Sequence, residues 1–251
     1  MKKSQKKEVN PVLSIVISTL NEERFVGSLL EDILNNTYKD YEVIVSDSGS
    51  TDKTGDVVER YTADYLNMNC IHASEKGVAV ARNNGAAHAK GKYILFLDAD
   101  VRLTDTFLEN SVNEMEHRNI DIAGYYIKPS GNRIFDKCLW FVYNNILFRP
   151  LQYIYPMATG GGGIIVKKNL HDKIGGFDKR IIIGEDHDYV QRGSRLGKFR
   201  MLKHEKSEFN MRRFNEKGRL TVVGQWTIAA LYYMVKQRKM PFEYRMGGTT
   251  H

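Results

Sequence analysis

Short apolar runs alternate with amphipathic stretches through the first hundred residues of the chain. The apolar runs predict strands at residues 12–19, 41–46, 70–73 and 92–97. The stretches between them carry apolar residues at helical spacing and predict helices at residues 22–36, from about 53 onward, and at 77–90. Such alternation with short links is typical of an α/β fold with a mostly parallel, doubly wound sheet flanked by helices.

The pattern becomes less regular after residue 100. It predicts strands at 120–128, 164–167 and 199–202, with a turn at 175–178. Helices are predicted at 105–118, 185–196 and 219–237, with an aromatic, helical segment at 135–148. The sequence contains no internal repeat or low-complexity linker, and its length suits one sizeable α/β domain.

The net charge of +7 is unevenly distributed along the 251 residues. Residues 1–10 carry +3 and residues 200–245 carry +7, which leaves −3 for residues 11–199. Basic ends suit an anionic surface such as membrane headgroups or a diphosphate, whereas nucleic-acid binding is disfavoured because its usual motifs are absent. We expect a flexible basic tail at 1–10, one domain at 11–213 and a basic, amphipathic helical extension at 214–251.

Three features bear on where the protein works. The N-terminal apolar run has no small-residue cleavage site after it, so we interpret it as a strand and not as a targeting signal. Cys70 and Cys138 fit neither a metal knuckle nor a disulfide framework, so no oxidising compartment is indicated. Residues 220–235 lack charge and are flanked by Lys and Arg, which predicts a helix too short to span a bilayer. It either lies on a membrane, together with aromatic residues of 139–148, or docks on its own domain. We expect a cytoplasmic protein at the membrane face.

Asp98 and Asp100 follow the most apolar predicted strand. Side chains two residues apart on a strand point the same way, so both carboxylates are expected at its C-terminal end, where open α/β sheets bind ligands. Close carboxylates repel unless they share a proton or a cation, and oxygen ligands suit Mg²⁺ or Mn²⁺. The alternative is an acidic turn in which Asp100 caps the next helix.

Two further polar residues lie near predicted strand ends. Asp47 follows the second strand and could accept hydrogen bonds from a nucleobase or ribose, or it could form an Asx turn. Arg82 lies in the helix at 77–90 and could contact a base or phosphate, or it could be a solvated surface residue. Neither glycine fingerprint for phosphate, G-x-G-x-x-G after strand one or G-x-x-x-x-G-K-[ST], is present.

Five stretches in the same order resemble the family-2 glycosyltransferases of the GT-A type. They are Ser18-Thr19-Leu20-Asn21-Glu22, Asp47-Ser48-Gly49-Ser50-Thr51-Asp52, Ala81-Arg82-Asn83-Asn84-Gly85, Asp98-Ala99-Asp100 and Gly184-Glu185-Asp186. The resemblance implies a Rossmann-like fold that binds a nucleotide-diphospho-sugar. It implies nucleoside contacts from Thr19, Glu22, Asp47 and Arg82. It also places the ribose and a divalent metal on Asp98 and Asp100. Ser48 departs from the family pattern, in which a second acid is common.

The resemblance assigns the acceptor side to residues 160–163 and 184–189. Gly161 and Gly162 would let the backbone approach the sugar or diphosphate closely. Asp186 would be the general base of an inverting displacement, since an ionised carboxylate can take a proton from an acceptor hydroxyl. Glu185, also expected near the donor, and Asp188 are alternative bases, and Asp188 could instead pair with Arg192 at helical spacing.

Two basic elements near the predicted last strand have open roles. In some relatives a histidine at about the position of His204 completes the metal shell, but a lone histidine is also a common surface residue. Arg212 and Arg213 suit neutralisation of a leaving diphosphate, or they form a basic face against lipid.

The sequence therefore predicts an inverting, metal-dependent glycosyltransferase. We expect a UDP- or GDP-sugar donor, Mn²⁺ or Mg²⁺, a lipid-linked or glycan acceptor, peripheral membrane contact and no nucleic acid. One alternative is a catalytically silent, membrane-bound nucleotide-sugar-binding protein on the same fold. Another is a sugar-1-phosphate nucleotidyltransferase, but that activity needs a Gly-rich phosphate loop after strand one, where this chain has Leu-Asn-Glu-Glu.

Overall fold

The computed structural model describes residues 10–73, 75–129, 134–158, 163–181, 184–209 and 221. Within these ranges one sheet contains β1 (Leu13–Thr19), β2 (Tyr41–Asp47), β3 (Met68–His72), β4 (Tyr93–Asp98), β5 (Ile122–Pro129), β6 (Ile164–Lys167) and β7 (Phe199–Phe209). The strand order is β3-β2-β1-β4-β6-β5-β7. Adjacent strands pair in parallel except at β6, which is antiparallel to both β4 and β5.

Helices cover both faces of this sheet. They are α1 (Val26–Asn35), α2 (Thr54–Asp64), α3 (Val78–His88), α4 (Phe107–His117), α5 (Ile134–Val142), α6 (Arg149–Ile154), α7 (Lys168–Ile174) and α8 (Glu185–Leu196). A π-helical segment, Tyr143–Phe148, joins α5 to α6. No helix in the described ranges is long and apolar enough to cross a membrane.

The central strands are buried on both faces, which explains their unbroken apolar runs. On one face Ile15 of β1 belongs to a core that includes residues of α1 and α4. On the other face Val16 and Phe96 belong to a core that includes residues of α3, α7 and α8. Gly85 lets α3 approach the sheet closely, because a Cβ at this position would lie 2.3 Å from Val16 Cγ1.

The register of the parallel strands aligns their polar C-terminal residues. Ser18 at the end of β1 lies opposite Ser46 of β2 and Asp98 of β4. Thr19 lies opposite Asp47. The side chains that the sequence placed at strand ends therefore share one edge of the sheet, which is where α/β proteins bind ligands.

The predicted elements that lie in the described ranges are present in the structure, although several boundaries differ. Strand β6 runs antiparallel within the mostly parallel sheet. Helix α1 begins four residues later than predicted, because the Glu22 carbonyl first accepts the N–H groups of Phe25 and Val26 in a turn. Helix α2 begins at Thr54, whose N–H donates to Asp52 Oδ1 at 3.0 Å. The last strand is longer than predicted. Residues 1–9 and 219–237 lie outside the described residues, except for residue 221.

Candidate functional site

Arg82 joins two carboxylates that are far apart in sequence. Its Nη2 lies 2.8 Å from Asp98 Oδ1 at the end of β4, and its Nη1 lies 2.8 Å from Glu185 Oε1 at the start of α8. Arg82 and Glu185 are buried, and about a third of the Asp98 side chain is exposed. The structure therefore brings together two ends of the predicted site, and it rules out the interpretation of Arg82 as a solvated surface residue.

The electrostatics of this cluster reflect burial and crowded acids. Burial lowers the pKa of Arg82, but the carboxylates of Asp98, Glu185 and Asp186 outweigh that effect and raise it above its ordinary value. Burial, followed by the charge of Asp186, raises the pKa of Glu185 to about 7, although Arg82 opposes the shift. Arg82 therefore carries a permanent positive charge between acids that repel one another.

Asp47 is buried in a tight turn after β2. Its Oδ1 accepts hydrogen bonds from Thr19 Oγ1 at 2.9 Å and from Ser50 Oγ at 2.5 Å. Its Oδ2 accepts the N–H groups of Gly49 and Ser50 at 3.1 and 3.0 Å. The Asx turn considered from the sequence is thus present, and it fixes both the Asp47 carboxylate and the Thr19 hydroxyl at the sheet edge.

The loops after β1 and β2 are joined to each other by side chains. Asn21, with a positive φ of 57°, accepts the Thr51 N–H at its Oδ1 and donates its own N–H to Ser50 Oγ. Glu22 is half-buried, and its N–H donates to Thr54 Oγ1 at 2.8 Å. These bonds hold Glu22 beside the Asp47 turn.

The first turn of α8 carries three acids. Gly184 precedes the helix with a φ of 81°, a left-handed conformation that favours glycine. Glu185 is held by Arg82, whereas Asp186 Oδ1 accepts the His187 N–H at 2.8 Å. Asp188 pairs with Arg192, as the helical spacing suggested, at 2.7 Å. An ionised carboxylate is favoured at a helix N-terminus, which supports Asp186 as a proton acceptor.

Tyr143, in the π-helical segment, is a site residue that the sequence did not indicate. Burial, followed by the charge of Asp186, raises the pKa of the Tyr143 hydroxyl above its ordinary value. Its ring packs edge-on against buried Trp140, with centroids 5.1 Å apart. The ring also packs against the core that includes residues of α8, the helix that carries Asp186.

Two stacked aromatic rings pack beside Arg82. The Phe177 ring lies 5.2 Å from Arg82 Cζ and stacks on Tyr189 at a centroid distance of 4.1 Å. Asn83 fixes this loop, because its side chain bonds both the N–H and the C=O of Phe177 at 2.8 Å. The apolar spacing of α8 could have indicated Tyr189 as a core residue, but its stacking on a residue of a turn had no signal in the sequence.

His171 lies beneath the stack and provides a test of the packing. Its Nδ1 is 2.7 Å from the Tyr189 hydroxyl, and burial lowers the pKa of His171 from 6.5 to about 4. The unfolded chain therefore binds this proton more tightly. The associated stability is fully present above about pH 6.5 and is lost as the pH falls toward 4.

Acidification from pH 6.5 to 4 should lower the free energy of unfolding of the native protein. We expect this decrease to be about 3 kcal/mol larger than in His171→Gln, which has no titrating ring. Urea unfolding of both proteins at several pH values measures the difference. If the free energy of unfolding depends on pH in the same way in both proteins, the prediction is contradicted, because His171 then has the same pKa in the folded and unfolded states.

The donor set at the end of β4 is compatible with a hard divalent cation. Asp98 ends the strand and Asp100 follows in the turn, with Ser18 Oγ 3.5 Å from Asp98 Oδ1. The described residues contain no cluster of three or more His, Cys, Asp or Glu side chains that could hold a metal. A cation here would need oxygen atoms of a bound diphosphate to complete its shell.

The remaining predicted residues lie apart from this cluster or outside the described residues. His204 is an exposed residue of β7, and its backbone N–H donates to Glu114 Oε2 at 3.1 Å. Gly161, Gly162, Arg212 and Arg213 lie outside the described residues. Gly163, next to them, has a φ of 85°, and a Cβ there would lie 3.1 Å from the Phe96 carbonyl oxygen. Close backbone approach at this strand entry is therefore observed for Gly163.

Comparisons with known proteins agree with this architecture. Residues 14–175, well over half of the chain, match the family model described as Glycosyl transferase family 2. The fold is similar to that of S. aureus TarS in complex with UDP-GlcNAc, with a TM-score of 0.66 and 19% identity over 80% of this chain and 58% of that one. It is also similar to the mannosyltransferase PcManGT of Pyrobaculum calidifontis in complex with GDP-Man and Mn²⁺, with a TM-score of 0.63 and 23% identity over 78% and 55% of the two chains.

Curated relatives match parts of this chain. The uncharacterized glycosyltransferase EpsJ of Bacillus subtilis is 30% identical over 127 residues, which is 50% of this chain and 37% of EpsJ. The UDP-Glc:alpha-D-GlcNAc-diphosphoundecaprenol beta-1,3-glucosyltransferase WfaP of Escherichia coli is 34% identical over 120 residues, which is 47% of each protein. The matched part is thus less than half the length of either relative.

Proposed function

The chain belongs to glycosyl transferase family 2, and we propose that it transfers a sugar from a nucleotide-diphospho-sugar to an acceptor hydroxyl or phosphate. The observation that carries this proposal is the Arg82 bridge, which joins Asp98 at the donor edge of the sheet to Glu185 beside Asp186. One buried cation thereby joins the end of β4 to the first turn of α8, which carries the candidate base. The ligands named for TarS and PcManGT support a UDP- or GDP-sugar donor.

The donor side would be formed by the strand ends and the turns that follow them. Thr19, Glu22 and Asp47 would contact the nucleoside; hydrogen bonds from Thr19 to Asp47 and from Glu22 to Thr54 hold them along this edge. Asp47 would offer its carboxylate to a base or ribose in exchange for some of its present bonds. Arg82 would support the donor side indirectly, through its hydrogen bonds to Asp98 and Glu185.

A divalent cation, Mn²⁺ or Mg²⁺, would be held by Asp98 and Asp100. When bound, it would neutralise charge on the diphosphate leaving group. The complex of PcManGT with Mn²⁺ supports this assignment. Arg212 and Arg213 are proposed to add positive charge to the same diphosphate, and His204 stays a proposed additional ligand.

The transfer would proceed as one inverting displacement. Asp186 accepts the proton of the acceptor hydroxyl while that oxygen forms a bond to the anomeric carbon. The bond from the anomeric carbon to the diphosphate oxygen breaks, and the electron pair leaves with the nucleoside diphosphate. Glu185 Oε1 is engaged by Arg82 at 2.8 Å, which leaves this carboxylate less available to an acceptor hydroxyl than that of Asp186.

The acceptor is proposed to be a lipid-linked or glycan substrate. The name of WfaP includes a diphosphoundecaprenol-linked acceptor, which supports this class. The basic extension at 214–251, with its uncharged run at 220–235, would hold the protein at the cytoplasmic face of the membrane.

Ligand-dependent stabilisation tests the donor assignment. The experiment compares thermal unfolding of the chain with UDP, GDP, CMP and dTDP, each with and without Mn²⁺. We expect UDP or GDP to raise the unfolding temperature, because a ligand that binds only the native state stabilises it by mass action. If none of the four nucleotides changes the unfolding temperature, the donor assignment fails.

The metal assignment gives a separate expectation for Asp100→Ala. This variant is expected to lose turnover and the additional thermal shift that Mn²⁺ gives with a diphosphate, because the cation loses a charged oxygen ligand. The matched variant Asp105→Ala lies farther along the same loop and is expected to keep both. Full activity of Asp100→Ala, or of the native protein in excess EDTA, would contradict the assignment.

A further inference from the structure

Helices α5 and α6 and the π-helical segment between them present large apolar side chains to solvent. Exposed fractions are 79% for Ile134, 82% for Ile154 and 64% for each of Phe141, Ile146 and Tyr153. These five residues are named here the outer face. We propose that the outer face docks on an anionic lipid surface and brings a lipid-linked acceptor to Asp186; the second part rests on the function proposed above.

The opposite side of the same segment is fixed to the sheet. Trp140 is buried, and the Asn144 side chain bonds both the N–H and the C=O of Ile127, at 3.2 and 2.7 Å. Gln152 Oε1 accepts the Met201 N–H at 3.0 Å. The orientation of the segment is therefore determined by its buried side. Its apolar outer face is largely exposed among the described residues, and an exposed apolar patch of this kind marks an interaction surface.

Charge on the segment favours lipid over a protein partner of neutral or basic character. Lys137 and Arg149 are exposed among the apolar residues, and Asp136 is the single acid between residues 134 and 154. An exposed apolar surface that carries Lys and Arg is typical of helices that lie in the interface of anionic membranes.

The outer face is close to the chemistry. Tyr143 belongs to the same segment and packs against the core that includes Tyr189 and Val190 of α8, the helix that carries Asp186. A membrane against the outer face would thus lie on the side of this segment away from that core. That arrangement suits an acceptor whose lipid stays in the bilayer while its sugar or phosphate enters the site.

Vesicle flotation of the full chain tests the docking. The vesicles contain phosphatidylcholine alone or with phosphatidylglycerol. We expect the native protein to float with anionic vesicles. We expect Ile146→Gln combined with Ile154→Gln to reduce binding about tenfold or more, since each change removes an exposed apolar side chain. The matched control, Leu66→Gln with Leu196→Gln, alters apolar residues that are 102% and 57% exposed elsewhere and should float normally.

Other outcomes overturn the proposal. These are absence of flotation by the native protein, equal loss in the outer-face and control variants, or loss caused by Trp226→Gln, in the uncharged run at 220–235, but not by the outer-face variant. Light scattering that shows a native dimer broken by the outer-face variant, without flotation, would assign the face to a second copy. Flotation needs no turnover, so it can succeed even where sugar transfer fails. Hydrolysis of a soluble donor should be unchanged in the outer-face variant.

Discussion

Asp186→Asn is expected to lower sugar transfer by about two to four orders of magnitude, the usual contribution of a general base. The amide keeps the size of the carboxylate and can still accept the His187 N–H, but it cannot take a proton at neutral pH. Folding and nucleotide binding should therefore be preserved. Steady-state transfer and the thermal shift with nucleotide measure the two properties separately.

Asp188→Asn is the matched control, because Asp188 lies in the same helical turn but is bound to Arg192. It should lose much less activity. Glu185→Gln distinguishes the neighbouring acid. If Asp186→Asn transfers sugar at nearly the native rate and Glu185→Gln does not, the base is Glu185. If all three variants stay active, the first turn of α8 has a structural role only.

Arg82→Met is expected to lower the free energy of unfolding by about 3 kcal/mol and to abolish transfer. Breaking a buried ion pair by removing one partner is strongly destabilising, because it leaves an uncompensated charge. Here the variant would leave Asp98 and Glu185 without their shared cation. Urea unfolding at pH 8 measures the loss of stability.

The pH dependence of that loss separates charge from packing. Because Arg82 lowers the pKa of Glu185, its removal should raise that pKa above about 7. Protonated Glu185 needs no partner charge, so the gap between native and variant stability should narrow at pH 5. Arg102→Met is the control, since Arg102 holds Asp32 in a bidentate pair and its side chain is more than half exposed. It should cost less than about 1 kcal/mol. A gap that is equal at pH 5 and pH 8 would show that lost packing dominates.

The parallel half of the fold was readable from the sequence because its signals are local. Apolar runs such as residues 94–97 can be satisfied only by strands buried on both faces, and polar residues immediately after them mark the ligand edge. The order of the strands beyond β4 was not readable. Strand β6 has four residues, too few to encode direction, and it runs antiparallel to both of its neighbours, β4 and β5.

The residues of the site could be listed from the sequence, but their contacts could not. Arg82 and Glu185 are 103 positions apart, and only the packing of α3 and α8 on one side of the sheet brings them to 2.8 Å. The aromatic stretch at 139–148 was interpreted as one unit. Helical periodicity divides it, so that Trp140 is buried while Phe141 and Ile146 are exposed. The sequence of this stretch does not show which residues are buried, because that depends on the surface of β5 against which the segment packs.

Release of nucleoside diphosphate is the most direct measurement of the proposed sugar transfer. The chain is incubated with UDP- and GDP-sugars and Mn²⁺, with and without lipid-linked acceptors, and the released nucleotide is quantified by chromatography. We expect at least one donor to release nucleotide and an acceptor to accelerate the release. The release rate should fall strongly in Asp186→Asn but not in Asp188→Asn. Donor binding without release under all conditions would contradict the proposal and would identify a catalytically silent nucleotide-sugar-binding protein.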